Sequence, residues 1–76
     1  MTKHMPERLN IRILSDAVAF RDGREAILIP EGFYRAEIVI VDSYHVAVVN
    51  DKYYIVKQKH DGLPQWRYLS PLEELA

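Results

Sequence analysis

Ala17-Val18-Ala19-Phe20-Arg21-Asp22-Gly23-Arg24-Glu25-Ala26-Ile27-Leu28-Ile29 reads as two short β-strands on either side of a turn. Asp-Gly closes two-residue hairpins well, because both loop positions need a positive φ. Counting outward from that loop pairs Arg21 with Arg24 and sets Val18 opposite Ile27. In this register Val18, Phe20, Ile27 and Ile29 share a bulky face, while Ala17, Ala19, Ala26 and Leu28 share a mostly small one. One bulky and one small face suit a strongly curved sheet. The hairpin commits the chain to antiparallel β-structure.

The flanking sequence extends the pattern in both directions. Upstream, Leu9, Ile11 and Ile13 alternate with Asn10 and Arg12, as in a half-buried strand. Residues 1–8 have no period and read as a flexible N-terminus, leaving residues 9–76 as the domain. Downstream, Pro30-Glu31-Gly32 turns the chain into its longest strand candidate, Phe33–Asp42. Tyr34, Ala36, Ile38 and Ile40 lie on one side of that strand. Arg35 and Glu37 make the other side wet, until Val39 and Val41 suggest a covered end. Asp42-Ser43 breaks the strand. Tyr44–Val49 and Lys52–Gln58 then form a second hairpin around Asn50-Asp51. Pairing Val49 with Lys52 groups Val46, Val48, Tyr53 and Ile55 on one face and His45, Ala47, Tyr54 and Val56 on the reverse. His60–Pro64 is a longer turn, and Gln65–Leu69 a short closing strand. Ser70-Pro71-Leu72-Glu73 carries a capping box with Pro at the first helical position, so a single 3₁₀ turn held by Leu72 and Leu75 is expected.

Composition agrees with one small all-β domain. The chain has 76 residues, 49 % hydrophobic and 28 % charged, a globular balance. No apolar run approaches the ~18–20 residues of a membrane span, and Met1–Met5 lacks a signal-peptide core, so a cytoplasmic protein is expected. Ten basic residues against eleven acidic ones give a net charge of −1, which argues against a dedicated duplex-DNA binder. The absence of cysteine excludes disulfides, thiolate nucleophiles and Cys-ligated zinc. A chain this short buries only ~60 % of its unfolded surface, so a large substrate cavity would remove too much core. Five or six short strands protect their edges best by closing into a small barrel.

Two stretches then resemble a known family. Gly32-Phe33-Tyr34-Arg35-Ala36-Glu37-Ile38 is similar to the G-x-W/F-Y-R-A-x-V strand of Tudor and related SH3-like barrels. Tyr53-Tyr54-Ile55-Val56, Asp61-Gly62, Trp66 and Ser70-Pro71-Leu72-Glu73-Glu74-Leu75 resemble the ending of many SH3-like domains. There a strand, a turn, a Trp-bearing strand and a 3₁₀ turn close the barrel. The resemblance implies a five- to six-stranded SH3-like barrel. Val49-Asn50-Asp51-Lys52 departs from the Asp-Tyr-Gly-Asn segment of Tudor domains, so no methyl-ligand cage carries over.

Catalytic chemistry is sparse. Thr2, Ser15, Ser43 and Ser70 sit in turns or at the terminus, and Ser43 and His45 are too close in sequence to assemble a triad readily. Gly23, Gly32 and Gly62 never cluster into a phosphate-cradling loop. His4, His45 and His60 lack metal-ligand spacing, and His45 reads as a partly buried structural histidine. No enzyme activity, metal or cofactor is expected. Binding signals remain. Five tyrosines and one tryptophan exceed what so small a core can hide, and Lys57, Lys59, His60 and Arg67 form the one basic concentration. The expected partner surface comprises Arg35, Tyr54, Lys57, Lys59, His60, Trp66, Arg67 and Tyr68, with a solvated strand end and a filled core as the plain alternative. The leading expectation is a non-enzymatic protein–protein interaction module, which could also dimerise through an exposed strand edge. An RNA or single-stranded nucleic-acid binder using the same surface comes second. A small inhibitor from a phage or mobile element comes third.

Overall fold

The structure, a computed structural model, describes residues 8–21 and 25–75. They form strands β1 (Arg8–Ile13), β2 (Ala17–Arg21), β3 (Glu25–Ile29), β4 (Gly32–Val41), β5 (Tyr44–Val49), β6 (Tyr53–Val56) and β7 (Trp66–Tyr68), then helix α1 (Pro71–Leu75). All seven strands join one antiparallel sheet in the order β3-β2-β6-β5-β4-β1-β7. β3 and β7 are its edges, and no ladder joins them among the described residues. The expected all-β class holds, with seven strands in place of five or six. β1 starts at Arg8, one residue before the expected domain boundary. The flexible N-terminus expected over residues 1–8 otherwise lies outside the described residues.

One face of the sheet is the core. Ile11, Ile13, Ala17, Ala19, Ile29, Ala36, Ala47, Val49, Ile55 and Trp66 are buried there, with Ile27, Tyr34, Ile38 and Tyr53 packed against them. A size rule runs through the ladders. Ala17 faces Ile29, Ala19 faces Ile27, Ala36 faces Leu9, and Ala47 lies between Ile38 and Ile55. A methyl group opposite a branched side chain lets strands bend tightly without overfilling the interior.

This rule overturns the expected registers of both hairpins. Arg21 pairs with Glu25, not with Arg24, so residues 22–24 separate the strands; the Asp22-Gly23 turn itself lies outside the described residues. The one-residue shift places Ala17, Ala19, Ile27 and Ile29 on the core face and Val18, Phe20 and Leu28 on the outer face. The two-residue register would have set Val18, Phe20, Ile27 and Ile29 together in a space with no alanine to offset them. In the second hairpin Val49 pairs with Tyr53, so Asn50, Asp51 and Lys52 form the loop. Ala47 and Val49 thereby join Tyr53 and Ile55 in the core, while Val46 and Val48 pair with Val56 and Tyr54 on the opposite face, where both valines are also buried. The tight two-residue hairpin lies elsewhere. Val41 pairs with Tyr44, and the loop residues Asp42 and Ser43 both have a positive φ, 48° and 71°.

The expected alternation along β4 is present, with Ala36 buried and Arg35 exposed. Its far end is uncovered, because Ile40 and Val41 are both exposed beyond the last core layer. The last turn is α-helical rather than 3₁₀: the Glu74 N–H donates to the Ser70 carbonyl at 3.1 Å. The capping box forms as expected, the Ser70 N–H donating to the Glu73 carboxylate at 2.8 Å and the Glu73 N–H donating to Ser70 Oγ at 3.3 Å. Leu72 and Leu75 do not hold this helix, being 80 % and 83 % exposed. Its anchor is polar. Among the described residues no helix is long and apolar enough to cross a membrane.

Candidate interaction cleft

β7 is three residues long, and its alternation decides what reaches the surface. Trp66 points inward and is fully buried, its indole N–H donating to the Ile55 carbonyl at 2.7 Å. A buried indole with its donor satisfied is a core side chain. Trp66 therefore leaves the expected partner surface. Tyr68 follows on the same face and meets the indole edge-on, with ring centroids 5.2 Å apart and planes at 87°. Tyr68, at the end of the strand, stays 40 % exposed.

The segment leading into β7 is fastened by Gln65. Its side-chain amide accepts from the Val18 N–H at 2.7 Å and donates to the Val56 carbonyl at 3.2 Å and the Val18 carbonyl at 3.4 Å. The β2–β6 ladder covers only Phe20 and Arg21, so at Val18 this amide stands where a neighbouring strand's peptide would be. The Gln65 backbone is tied on both sides as well, donating to the Lys57 carbonyl at 2.7 Å and accepting from the Leu14 N–H at 2.9 Å. The turn before it is internally bonded. The Lys59 N–H reaches the Leu63 carbonyl, the Gly62 N–H returns to the Lys59 carbonyl, and Asp61 Oδ1 accepts from the Leu63 N–H. Gly62 takes a φ of 88°, which suits glycine.

These restraints position the basic residues. Lys57 donates its N–H to the His45 carbonyl at 2.8 Å, and its ammonium lies 5.9 Å from the Trp66 ring centroid, within cation–π range. Beside it opens a cleft of about 420 Å³ lined by Tyr44, His45, Lys57, Lys59 and Tyr68 together with Ser43 and Gln58. A second cleft of about 300 Å³ shares Tyr44, Gln58 and Lys59 and adds Val56 and His60. Tyr44 is 63 % exposed, so the rings of Tyr44 and Tyr68 offer flat apolar surface between cationic groups.

Three arginines outside the two clefts are paired within the chain. On the outer face Arg12 pairs with Glu31 at 2.8 Å and lies 4.9 Å over the Phe33 ring, while Arg8 reaches Asp51 at 3.6 Å. Arg67 grips Glu73 through two parallel bonds of 2.9 and 2.8 Å. That fork, followed by the Ser70 N–H, holds the Glu73 carboxyl down at about 2, and the same contact raises the Arg67 pKa. Glu73 and Glu74 also line an outer cleft with Asn10, Phe33 and Leu69. Among the described residues no carboxylate lines the two clefts around Tyr44.

The expected surface is thus divided. Lys57, Lys59 and Tyr68 meet at the main cleft, His60 borders its neighbour, and Trp66 lies beneath. Arg35, Tyr54 and Arg67 are on the outer face, as their ladder partners Asn10, Val48 and Arg12 require. Sequence reasoning missed Tyr44 and His45 as cleft residues. His45 is exposed beside Ile40, not partly buried beside Tyr54 and Val56. Reading Asp42-Ser43 as a two-residue hairpin, and not merely a strand break, would have placed both. Comparison with protein-family models, with curated proteins and with solved structures finds no match for the chain.

Proposed function

We propose that this chain is a non-enzymatic protein-interaction module, a small SH3-like β-barrel whose Tyr44–Tyr68 cleft receives a segment of another protein. The carrying observation is the cleft itself: two exposed tyrosine rings and two lysines held on a hydrogen-bonded frame. Exposed aromatic surface with rigid backing is what partner recognition uses. The barrel reading is supported by the strand order, in which β1 lies between the long strand β4 and the closing strand β7. A Trp-bearing closing strand followed by one helical turn also fits the SH3-like resemblance.

The test is site-specific cross-linking in an extract of the source cells. A photoreactive phenylalanine analogue replaces Tyr44 in one sample and exposed Tyr54, outside the lining of both clefts, in another. Polypeptide adducts at position 44 and not at 54, identified by mass spectrometry, are expected. Equal adducts at both positions, or none at 44, refute the reading. Nucleotide adducts at 44 would favour the second reading, a binder of single-stranded nucleic acid, for which the proximity of Lys57 and Lys59 to Tyr44 and Tyr68 is the specific support.

A further inference from the structure

We propose that the segment received by the cleft is acidic, with its carboxylates against Lys57 and Lys59 and its apolar atoms on the rings of Tyr44 and Tyr68. This rests on the protein-docking reading and specifies the partner. Charge complementarity carries it. The chain as a whole bears a net charge of −1, so the positive cleft is a local feature and not the overspill of a basic protein. Arg8, Arg12 and Arg67 each face a carboxylate of this same chain. Lys57 and Lys59 share a cleft with His45, and among the described residues no carboxylate lines it. Nearby acidic side chains are turned elsewhere: Asp61 accepts from the Leu63 N–H, Asp51 lies by Arg8, Glu73 is held by Arg67 and Ser70, and Asp42, next to Ser43, is not among the described lining residues. An incoming carboxylate therefore meets cations that no anion among the described residues already neutralises.

The geometry favours a peptide over a phosphodiester strand. Strand binding needs a basic groove that continues along the nucleic-acid backbone. Among the described residues the lining of the two clefts carries no cationic residue beyond Lys57, Lys59 and the histidines, and Arg8, Arg12 and Arg67 lie beside their own carboxylates. Two compact ammonium groups suit one or two carboxylates, which they can contact without the planar fork that guanidinium supplies.

The ¹⁵N-labelled chain, titrated at low salt with hexaglutamate, hexaglutamine and an oligothymidine of the same length, tests this. Hexaglutamate should shift the amide resonances of Tyr44, His45, Lys57, Lys59 and Tyr68, and hexaglutamine should not at equal concentration. Lys59→Gln should weaken hexaglutamate binding about fivefold, the factor for one charge pair at contact distance in water. This variant touches no core contact, whereas Lys57 lies over Trp66. If hexaglutamine moves the same amides with equal affinity, the acidic partner is wrong while the docking reading survives. If oligothymidine binds the cleft more tightly than hexaglutamate, both fall. If hexaglutamate shifts no cleft amide, the acidic partner is wrong, and cross-linking at position 44 judges the docking reading separately.

Discussion

Replacing Gln65 with alanine removes the side chain that substitutes for a missing stretch of β-ladder. The Val18 N–H loses its acceptor at 2.7 Å, and the Val56 and Val18 carbonyls lose donors at 3.2 and 3.4 Å. An orphaned donor in a part-buried site costs about 1–3 kcal/mol, and the two longer bonds add about 1 kcal/mol together. The expected loss is therefore about 2–4 kcal/mol, a large share of the ~4–11 kcal/mol available to a chain of this length. At ~4–8 °C per kcal/mol, Tm should fall by roughly 8–30 °C. Thermal and urea unfolding followed by Trp66 fluorescence measures it, with exposed Gln58→Ala as a control expected to stay within about 0.5 kcal/mol. Gln65→Leu should not restore stability, because it fills volume without satisfying the Val18 N–H. If Gln65→Ala matches the Gln58→Ala control, the amide is not holding β7 to β2, and the account of how the cleft is positioned fails with it.

Three further outcomes follow from the same structure. Trp66→Ala should cost about 3–5 kcal/mol and leave little folded protein, while Trp66→Phe keeps most packing but strands the Ile55 carbonyl; native emission should be blue-shifted and poorly quenched by iodide, and full quenching would contradict the burial. Asp51→Gly should stabilise the fold by about 0.5–1 kcal/mol, since Asn50 and Asp51 hold φ values of 56° and 60° that glycine adopts freely, and the long, exposed contact to Arg8 contributes little; a urea midpoint at or below wild type would count against it. The Glu73 carboxyl, held near 2 by Arg67 and Ser70, contributes its stabilisation fully above the usual value of 4.5 and loses it as pH falls through about 2. A carboxyl-carbon NMR titration of Glu73 with a midpoint at 4.5 would show that the Arg67 fork does not persist in solution.

The sequence carried the class of fold because alternation is a property of single strands. Ile11 and Ile13, Ala36 between Arg35 and Glu37, and Trp66 before Arg67 all reveal their faces without knowledge of any partner. Register is a property of pairs, and there the loop dipeptides misled. Asp22-Gly23 and Asn50-Asp51 each suggest a two-residue connection, yet both ladders slip by one so that Ala19 meets Ile27 and Ala47 meets Ile55. Turn chemistry favours one loop length by a fraction of the free energy that core volume controls, so volume wins. Where no such conflict exists, at Asp42-Ser43, Val41 and Tyr44 keep the two-residue connection.

The same distinction explains why the candidate surface was only half legible. Lys57, Lys59 and Tyr68 belong together through backbone bonds local to one turn, from Lys57 to Gln65 and from Lys59 to Leu63. Tyr44 and His45 join them through a contact that composition cannot show, the Lys57 N–H on the His45 carbonyl. Arg67 has the right charge and the right neighbourhood in sequence, but β7 alternation turns it to the other face, where Glu73 waits six residues on. Charge counted along the chain thus overstates the basic patch by one guanidinium and understates its selectivity. Once Arg67 is paired, the cations lining the main cleft are Lys57 and Lys59, and a site with so few charges discriminates by where an anion sits rather than by how many it carries.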